Sequence, residues 1–237
     1  GWTTFTAADG LSDDIVLSLA PSAAGGMWVG TRFGLNRIAG GRIERFGAAT
    51  GLPAGGVLAL HEDRQGTLWV GTRAGAYRLE DGRAAVVDPD GLLGRGVIIA
   101  VHEASDGTLW FGTFSDGLLK LDRERNVFLR YRFDALNEQS LTENRITTLS
   151  QDREGDIWVG FGATEPGFFS TAPSPFVPLP FDGGNPANLG ERIVNELFED
   201  ADGDIGREAF GRQFDGAGAC SPGIVRASAG CRRRGCH

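Results

Sequence analysis

The stretch that decides the fold is Asp63-Arg64-Gln65-Gly66-Thr67-Leu68-Trp69-Val70-Gly71-Thr72. Its core phrase, Trp-(Val/Phe)-Gly, stands at Trp28, Trp69, Trp110 and Trp158, at spacings of 41, 41 and 48 residues. Outward from each Trp, further columns agree. Seventeen residues before it are Leu11, Leu52, Leu93 and Leu141. Twelve before are Val16, Val57, Ile98 and Ile146, and nine before are Leu19, Leu60, Val101 and Leu149. Three before is always Gly (Gly25, Gly66, Gly107, Gly155), and two after is Gly again (Gly30, Gly71, Gly112, Gly160).

Each column has a physical reading. The β-branched and Leu positions make a first short strand at residues 15–20, 57–61, 97–102 and 146–151. The Gly before Trp closes a turn that needs positive φ. The Trp lies in a second strand. The Gly after it has no Cβ, so a neighbouring backbone can approach closely. Third strands are expected at residues 35–38, 76–79 and 118–121, and fourth strands at 42–46, 83–87 and 127–133. Four short strands per repeat of this length describe a β-propeller blade. A β-solenoid is the alternative, but its repeats are usually shorter and its strands parallel.

Trp2-Thr3-Thr4-Phe5 aligns with Ile43-Glu44-Arg45-Phe46, which predicts a fourth strand over residues 1–6 and places Trp2 in a core column. The fourth repeat is longer by an insert around Asn137-Glu138-Gln139-Ser140. Residues 171–180 are Pro-rich and read as an edge strand or irregular connection. Residues 181–188 read as a second Asn-containing insert.

A fifth repeat begins on schedule with Leu189, Val194, Leu197, Gly203 and Ile205. The next column demands Trp, and the residue is Gly206. Arg207 and Glu208 follow where Val and Gly belong. Residues 206–237 hold six Arg, seven Gly and all three cysteines, Cys220, Cys231 and Cys236. This region carries 2 acidic and 6 basic residues, against 29 and 17 before it; +4 and −12 give the net −8 of the chain. The sequence therefore predicts a propeller region over 1–205, with a partial fifth blade at 189–205, and a disordered non-repeat tail over 206–237. The pattern is that of a shifted reading frame near codon 205 or 206. Gly206-Arg207-Glu208 can be written GGT-CGG-GAG, and TG placed ahead of it gives TGG-GTC-GGG, which reads Trp-Val-Gly. A divergent natural tail is the other reading. Cys220, Cys231, Cys236 and His237 could be counted as four zinc ligands, but their Gly/Arg-rich flanks supply no scaffold.

Composition narrows the function. The 237 residues are 41% hydrophobic, ample for a core. The net charge of −8 disfavours a nucleic-acid or anionic-membrane partner, because both need a basic face. No run reaches the length of a membrane span. Three cysteines in a chain this long make no disulfide framework.

The phrases at residues 10–16, 63–72, 106–113, 140–144 and 152–160 resemble the two-component regulator propeller repeat. The resemblance covers residues 1–205. It implies part of a seven-bladed propeller in the periplasmic sensor region of a membrane-bound signalling protein. In that family a β-sandwich, one membrane helix and a histidine kinase or diguanylate cyclase output commonly follow. The resemblance thus implies a non-catalytic sensor fragment of a protein that is a homodimer at full length. Its contact with a membrane would run only through segments beyond this chain.

The residues offer little catalytic chemistry. His61 and His102 share the column eight before Trp, where the other repeats have Ala20, Ser150 and Phe198. They end strands, so His61-Glu62-Asp63-Arg64 is not read as a phospho-acceptor box. Asp200-Ala201-Asp202-Gly203-Asp204 fails as an EF-hand, because Ile205 and Gly211 stand where Gly and Glu are required. Asp63 and Asp152 lie six residues before Trp, not the five of a sialidase-type Asp box, and read as turn residues. No catalytic triad, phosphate loop, metal cluster or cofactor motif is expected. The four column Trp are expected to pack between blades. A ligand site belongs in the turns after Trp-(Val/Phe)-Gly, whose residues are Arg32, Phe33, Arg73, Phe114 and Asp116. Arg at two equivalent turns favours an anionic or hydroxylated small molecule or saccharide. The expected function is extracytoplasmic ligand sensing by an all-β propeller. A protein-interaction scaffold and a propeller hydrolase or lyase are the alternatives. Four blades and part of a fifth leave unpaired strand edges, which predicts marginal stability or aggregation.

Overall fold

The computed structural model describes residues 1–87, 96–122, 127–137, 139–164, 166–169, 177–178, 193–199, 205–210 and 223–227. The Asp200–Asp204 loop, the second insert and the three cysteines lie outside the described residues. Among the described residues the regular structure is strand, apart from one 3-10 turn at Ala48–Thr50.

Blade one is β1 (Val16–Pro21), β2 (Met27–Thr31), β3 (Gly34–Ala39) and β4 (Arg42–Phe46). Blade two is β5 (Val57–Glu62), β6 (Leu68–Thr72), β7 (Gly75–Glu80) and β8 (Arg83–Val86). Blade three is β9 (Ile98–Glu103), β10 (Leu109–Thr113), β11 (Leu118–Asp122) and β12 (Val127–Tyr131). Blade four is β13 (Ile146–Gln151), β14 (Ile157–Phe161), β15 (Gly167–Phe169) and β16 (Val177–Pro178). Strands run in chain order across each sheet, antiparallel, as propeller blades do. Apart from residues 1–6 and 171–180, the expected strands fall within two residues of these bounds. In the Pro-rich stretch the described residues, Val177–Pro178, form the edge strand β16.

The register carries a detail that the columns only hint at. A β-bulge interrupts the first pair between Val16 and Ser18, Val57 and Ala59, and Ile146 and Thr148. An unpaired residue there bends the strand and increases its twist.

The chain divides into two compact units. One comprises Gly1–Glu103, Gly107–Phe111 and Lys120–Phe128, and the other Ala104–Asp106, Gly112–Leu119 and Leu129–His237. In the first unit, Trp28, Leu35 and Phe46 of blade one share an apolar core with Val57, Leu68, Val70 and Leu79 of blade two. The rings of Trp28 and Phe46 lie 5.3 Å apart, and those of Trp69 and Phe111, from successive blades, 5.8 Å apart. All four column tryptophans are buried.

The glycine columns are geometric. Gly25, Gly66, Gly107 and Gly155 have φ of +87°, +84°, +84° and +93°. Gly30 and Gly71 are holes. A Cβ on Gly30 would lie 2.6 Å from Val57 Cγ1, and one on Gly71 would lie 2.9 Å from Ile98 Cγ2. The β-branched residue of one blade thus inserts where the preceding blade has no side chain.

Two expectations are corrected. Residues 1–6 form no strand, and Trp2 is fully exposed instead of buried. A strand needs a neighbour to complete its ladder, and among the described residues no third strand lies beside these. The tail over 206–237, expected to be disordered, also includes strand among its described residues. A three-stranded sheet of β17 (Ile193–Glu199), β18 (Ile205–Phe210) and β19 (Gly223–Ala227) is present. β17 keeps the bulge, between Val194 and Glu196, and Phe198 pairs with Gly206 as Ala20 pairs with Trp28. An open strand edge offers N–H and C=O groups whatever the side chains of the segment that joins it. The ladder therefore continues across the position where the side-chain columns stop.

Candidate functional site

The residues that the sequence puts forward sit on three equivalent turns. Each turn begins with a buried threonine that closes a second strand: Thr31, Thr72 and Thr113. The hydroxyl donates to the carbonyl of Gly34, Gly75 or Gly117, at 3.0, 2.9 and 2.8 Å. It also accepts a backbone N–H from Phe33, Ala74 or Asp116, at 3.3, 3.0 and 2.7 Å. One hydroxyl thus fixes both sides of the turn and turns its central side chains outward. The repeated Gly-Thr phrase was the signal for this clamp. Blade four has Phe161 in its place.

Arg32 and Phe33 come together. The Arg32 guanidinium lies 4.6 Å from the Phe33 ring centroid and 3.5 Å from Asp13 Oδ2. Phe33 remains largely exposed. Arg73 is exposed on the equivalent turn of blade two. These three belong to the first unit. Phe114 and Asp116 belong to the second. There the Arg145 guanidinium covers Phe114 at 4.9 Å, and Arg132 lies 3.8 Å from Asp116. Asp13, Arg132 and Arg145 carry no columnar signal, since they flank strands at positions that vary between repeats. Each turn presents a guanidinium, an aromatic face or both, the groups that stack on and hydrogen-bond to a hydroxylated or anionic molecule.

The opposite end of the blades carries Asp63 and Asp152. Asp63 Oδ2 accepts the indole N–H of Trp69 at 2.8 Å, while Oδ1 accepts the N–H groups of Gln65 and Thr67, each at 2.9 Å. Asp152 likewise accepts from Trp158 Nε1 at 2.7 Å and from Asp156 N at 2.9 Å. Blade one has Ser22 at this position, and Glu62 of the next blade accepts from Trp28 Nε1 at 2.6 Å instead. These carboxylates are thus committed to turns and indoles.

A link between blades recurs seven residues before Trp. Glu62 accepts Ala23 N–H at 3.2 Å, Glu103 accepts Arg64 N–H at 3.0 Å, and Gln151 accepts Ser105 N–H at 2.7 Å. Beside it, His61 and His102 face each other with centroids 6.0 Å apart, and His61 Nε2 lies 4.0 Å from Glu103. Burial, with a smaller contribution from the neighbouring His61, lowers the His102 pKa to about 4. His102 Nε2 is buried without a hydrogen-bond partner. Among the described residues, no group of three His, Cys, Asp or Glu is placed to hold a metal ion.

Three segments, residues 51–74, 91–115 and 140–162, match the family model described as two component regulator propeller. No curated protein matches the chain. Among solved structures, the extracellular domain of a hybrid two component system of B. thetaiotaomicron superposes with a TM-score of 0.67 at 19% identity, over 90% of this chain and 27% of that one. A one component system extracellular domain of the same organism gives 0.57 at 18%, over 85% and 34%. Virginiamycin B lyase of Staphylococcus aureus gives 0.65 at 12%, over 92% and 71%. The chain spans about a quarter to a third of these two extracellular domains, and at these identities the likeness is one of fold. The matched segments are the ones built on the Gly-x-(Leu/Ile)-Trp-(Val/Phe)-Gly columns, and in these three repeats the chain is similar to the two-component regulator propeller.

Proposed function

We propose that this chain is a ligand-sensing propeller region, placed outside the cytoplasm, of a two-component-type signalling protein. The observation that carries this reading is the match of three successive blades to the two-component regulator propeller. The fold shared with extracellular domains of such systems supports the location. The proposed ligand is a small molecule or saccharide held by such clamped turns; the candidate contacts are Arg32, Phe33 and Arg73 within the first unit and, separately, Phe114 and Asp116 within the second. The chain itself performs no bond chemistry in this reading. A kinase or cyclase output elsewhere in a homodimeric protein would respond to it. Ligand energy can be transmitted only as differential affinity for two states of the assembly.

The test is a thermal-shift series with neutral and acidic oligosaccharides, followed by calorimetry on any that stabilise. Arg32→Ala and Arg73→Ala each remove charge-assisted donors, so each should weaken binding by about 10-fold or more. Affinities unchanged in both variants would remove these turns as the site.

A further inference from the structure

In blades one and two the fourth residue after Trp is an arginine, Arg32 and Arg73, and in blade four it is Gly162. A guanidinium reaches the blade-four turn by another route. Thirteen residues before Trp, blades one to three carry Ile15, Gly56 and Val97, and blade four carries Arg145. A Cβ on Gly162 would lie 2.5 Å from Arg145 Cδ and 2.9 Å from Arg145 Nε. The space that a side chain at Gly162 would take is thus filled by the Arg145 stem. The Arg145 guanidinium covers Phe114 at 4.9 Å from the ring centroid, and Phe114 remains 46% exposed.

Arg145 is mounted on a strap that is fixed on both sides. Thr142-Glu143-Asn144-Arg145 is bonded to two turns, all within the second unit. On the blade-three turn, Gly117 N–H donates to the Asn144 carbonyl at 2.9 Å. On the blade-four turn, Gly162 N–H donates to the Arg145 carbonyl at 3.0 Å and Ala163 N–H donates to Glu143 Oε2 at 2.8 Å. The hydroxyls of Thr142 and Thr164 share a bond of 2.9 Å. The carboxylates of this region are engaged, Glu143 with Ala163 and Asp116 with Arg132 at 3.8 Å. Among the described residues, none forms an ion pair with Arg145. Its Nε is buried without a hydrogen-bond partner. A guanidinium that has given up water and gained no anion is costly until a negative group pairs with it. With Nε covered, the terminal Nη groups are the donors left for a ligand, and their planar fork matches an oxyanion.

We propose, resting on the ligand-sensing reading, that Arg145 is an oxyanion-recognition residue: its guanidinium binds a carboxylate, sulfate or phosphate group of a small hydroxylated ligand whose ring lies against Phe114. The probes are D-glucuronate, glucose-6-sulfate and glucose-6-phosphate, titrated into the full chain by calorimetry. D-Glucose, which has the ring without the charge, is the reference. At least one of the anions should bind about 10-fold or more tightly than glucose, and the one that does identifies the source of the oxyanion. Arg145→Ala should erase that difference. Arg145→Lys keeps the charge without the fork and should retain only part of it. Gly162 has no positive φ, so Gly162→Ala fits the backbone and displaces only the Arg145 stem. It should weaken the anion several-fold and leave glucose unchanged. A purely structural Arg145 would instead lower Tm in these variants at a constant anion-to-glucose ratio, and that result would overturn the proposal. So would anions that bind no more tightly than glucose, or a preference for anions that survives Arg145→Ala. If that surviving preference is lost in Arg32→Ala or Arg73→Ala, the ligand-sensing reading still stands. No binding by any of these probes or by the oligosaccharides would remove both.

Discussion

A buried tryptophan must place its indole N–H, and blades two and four solve this with a carboxylate six residues earlier in the chain. At Asp63 the same carboxylate also holds two turn N–H groups, so its removal strands several buried donors at once. Asp63→Ala should destabilise the protein by about 2–4 kcal/mol, and Asp63→Asn by less, as measured by equilibrium denaturation. His102 gives a pH signature. Its folded-state pKa is lowered from 6.5 to about 4, so the native state prefers the neutral ring while the unfolded chain takes up a proton. Its contribution is therefore intact above pH 6.5 and is lost progressively as the pH falls toward 4. His61, at 6.0 Å, opposes the His102 charge, and Glu103, 4.0 Å from His61, is the carboxylate of the group. Denaturation midpoints of a His102→Phe variant should vary less than wild type between pH 6.5 and 4.

At the scale of the element, a blade is positioned by a knob, a hole and a polar link. A Cβ on Gly71 would meet Ile98 Cγ2 at 2.9 Å and the Ile98 carbonyl at 3.0 Å, and backbone cannot rotate away as a side chain can. Gly71→Ala should therefore cost about 1–3 kcal/mol and shift the Trp fluorescence of the native state. The link is the acceptor seven residues before Trp. Glu62→Ala leaves Trp28 Nε1 and Ala23 N without their acceptor, and about 1–3 kcal/mol should be lost. A Glu62→Ala, Trp28→Phe double-mutant cycle should show coupling. Additive effects would mean that the Trp28 bond contributes nothing.

At the scale of the molecule, the fifth sheet poses the question that the side-chain columns raised. Its backbone register continues through Gly206, yet from there its residues no longer match the repeat. The nucleotide sequence decides this point. A one- or two-base change after the Ile205 codon should restore Trp-Val-Gly, and failure to find one would establish the tail as natural. Val16, Leu19 and Met27 of blade one are exposed, where the equivalent Val57, Leu60 and Leu68 of blade two are buried or half-buried, and this apolar face bears on solution behaviour. Heating should give a broad or aggregating transition, and a single cooperative melt of a monomer by calorimetry would contradict that expectation.

The sequence by itself determined the blades. Period, strand order, the positive-φ glycines and the burial of Trp28, Trp69, Trp110 and Trp158 all follow from local patterns, because a strand alternates and a turn constrains φ wherever they occur. The candidate turns were legible for the same reason. The tertiary structure alone decided what crosses between segments. That Glu62 rather than Ser22 serves Trp28, that Arg145 covers Phe114 and that Val16 lies open depend on which neighbour is present. No column records a neighbour, since the same residue is core in one blade and surface in another. Backbone pairing is equally blind to side chains, which is why sheet five runs on past the last residue that the repeat could predict.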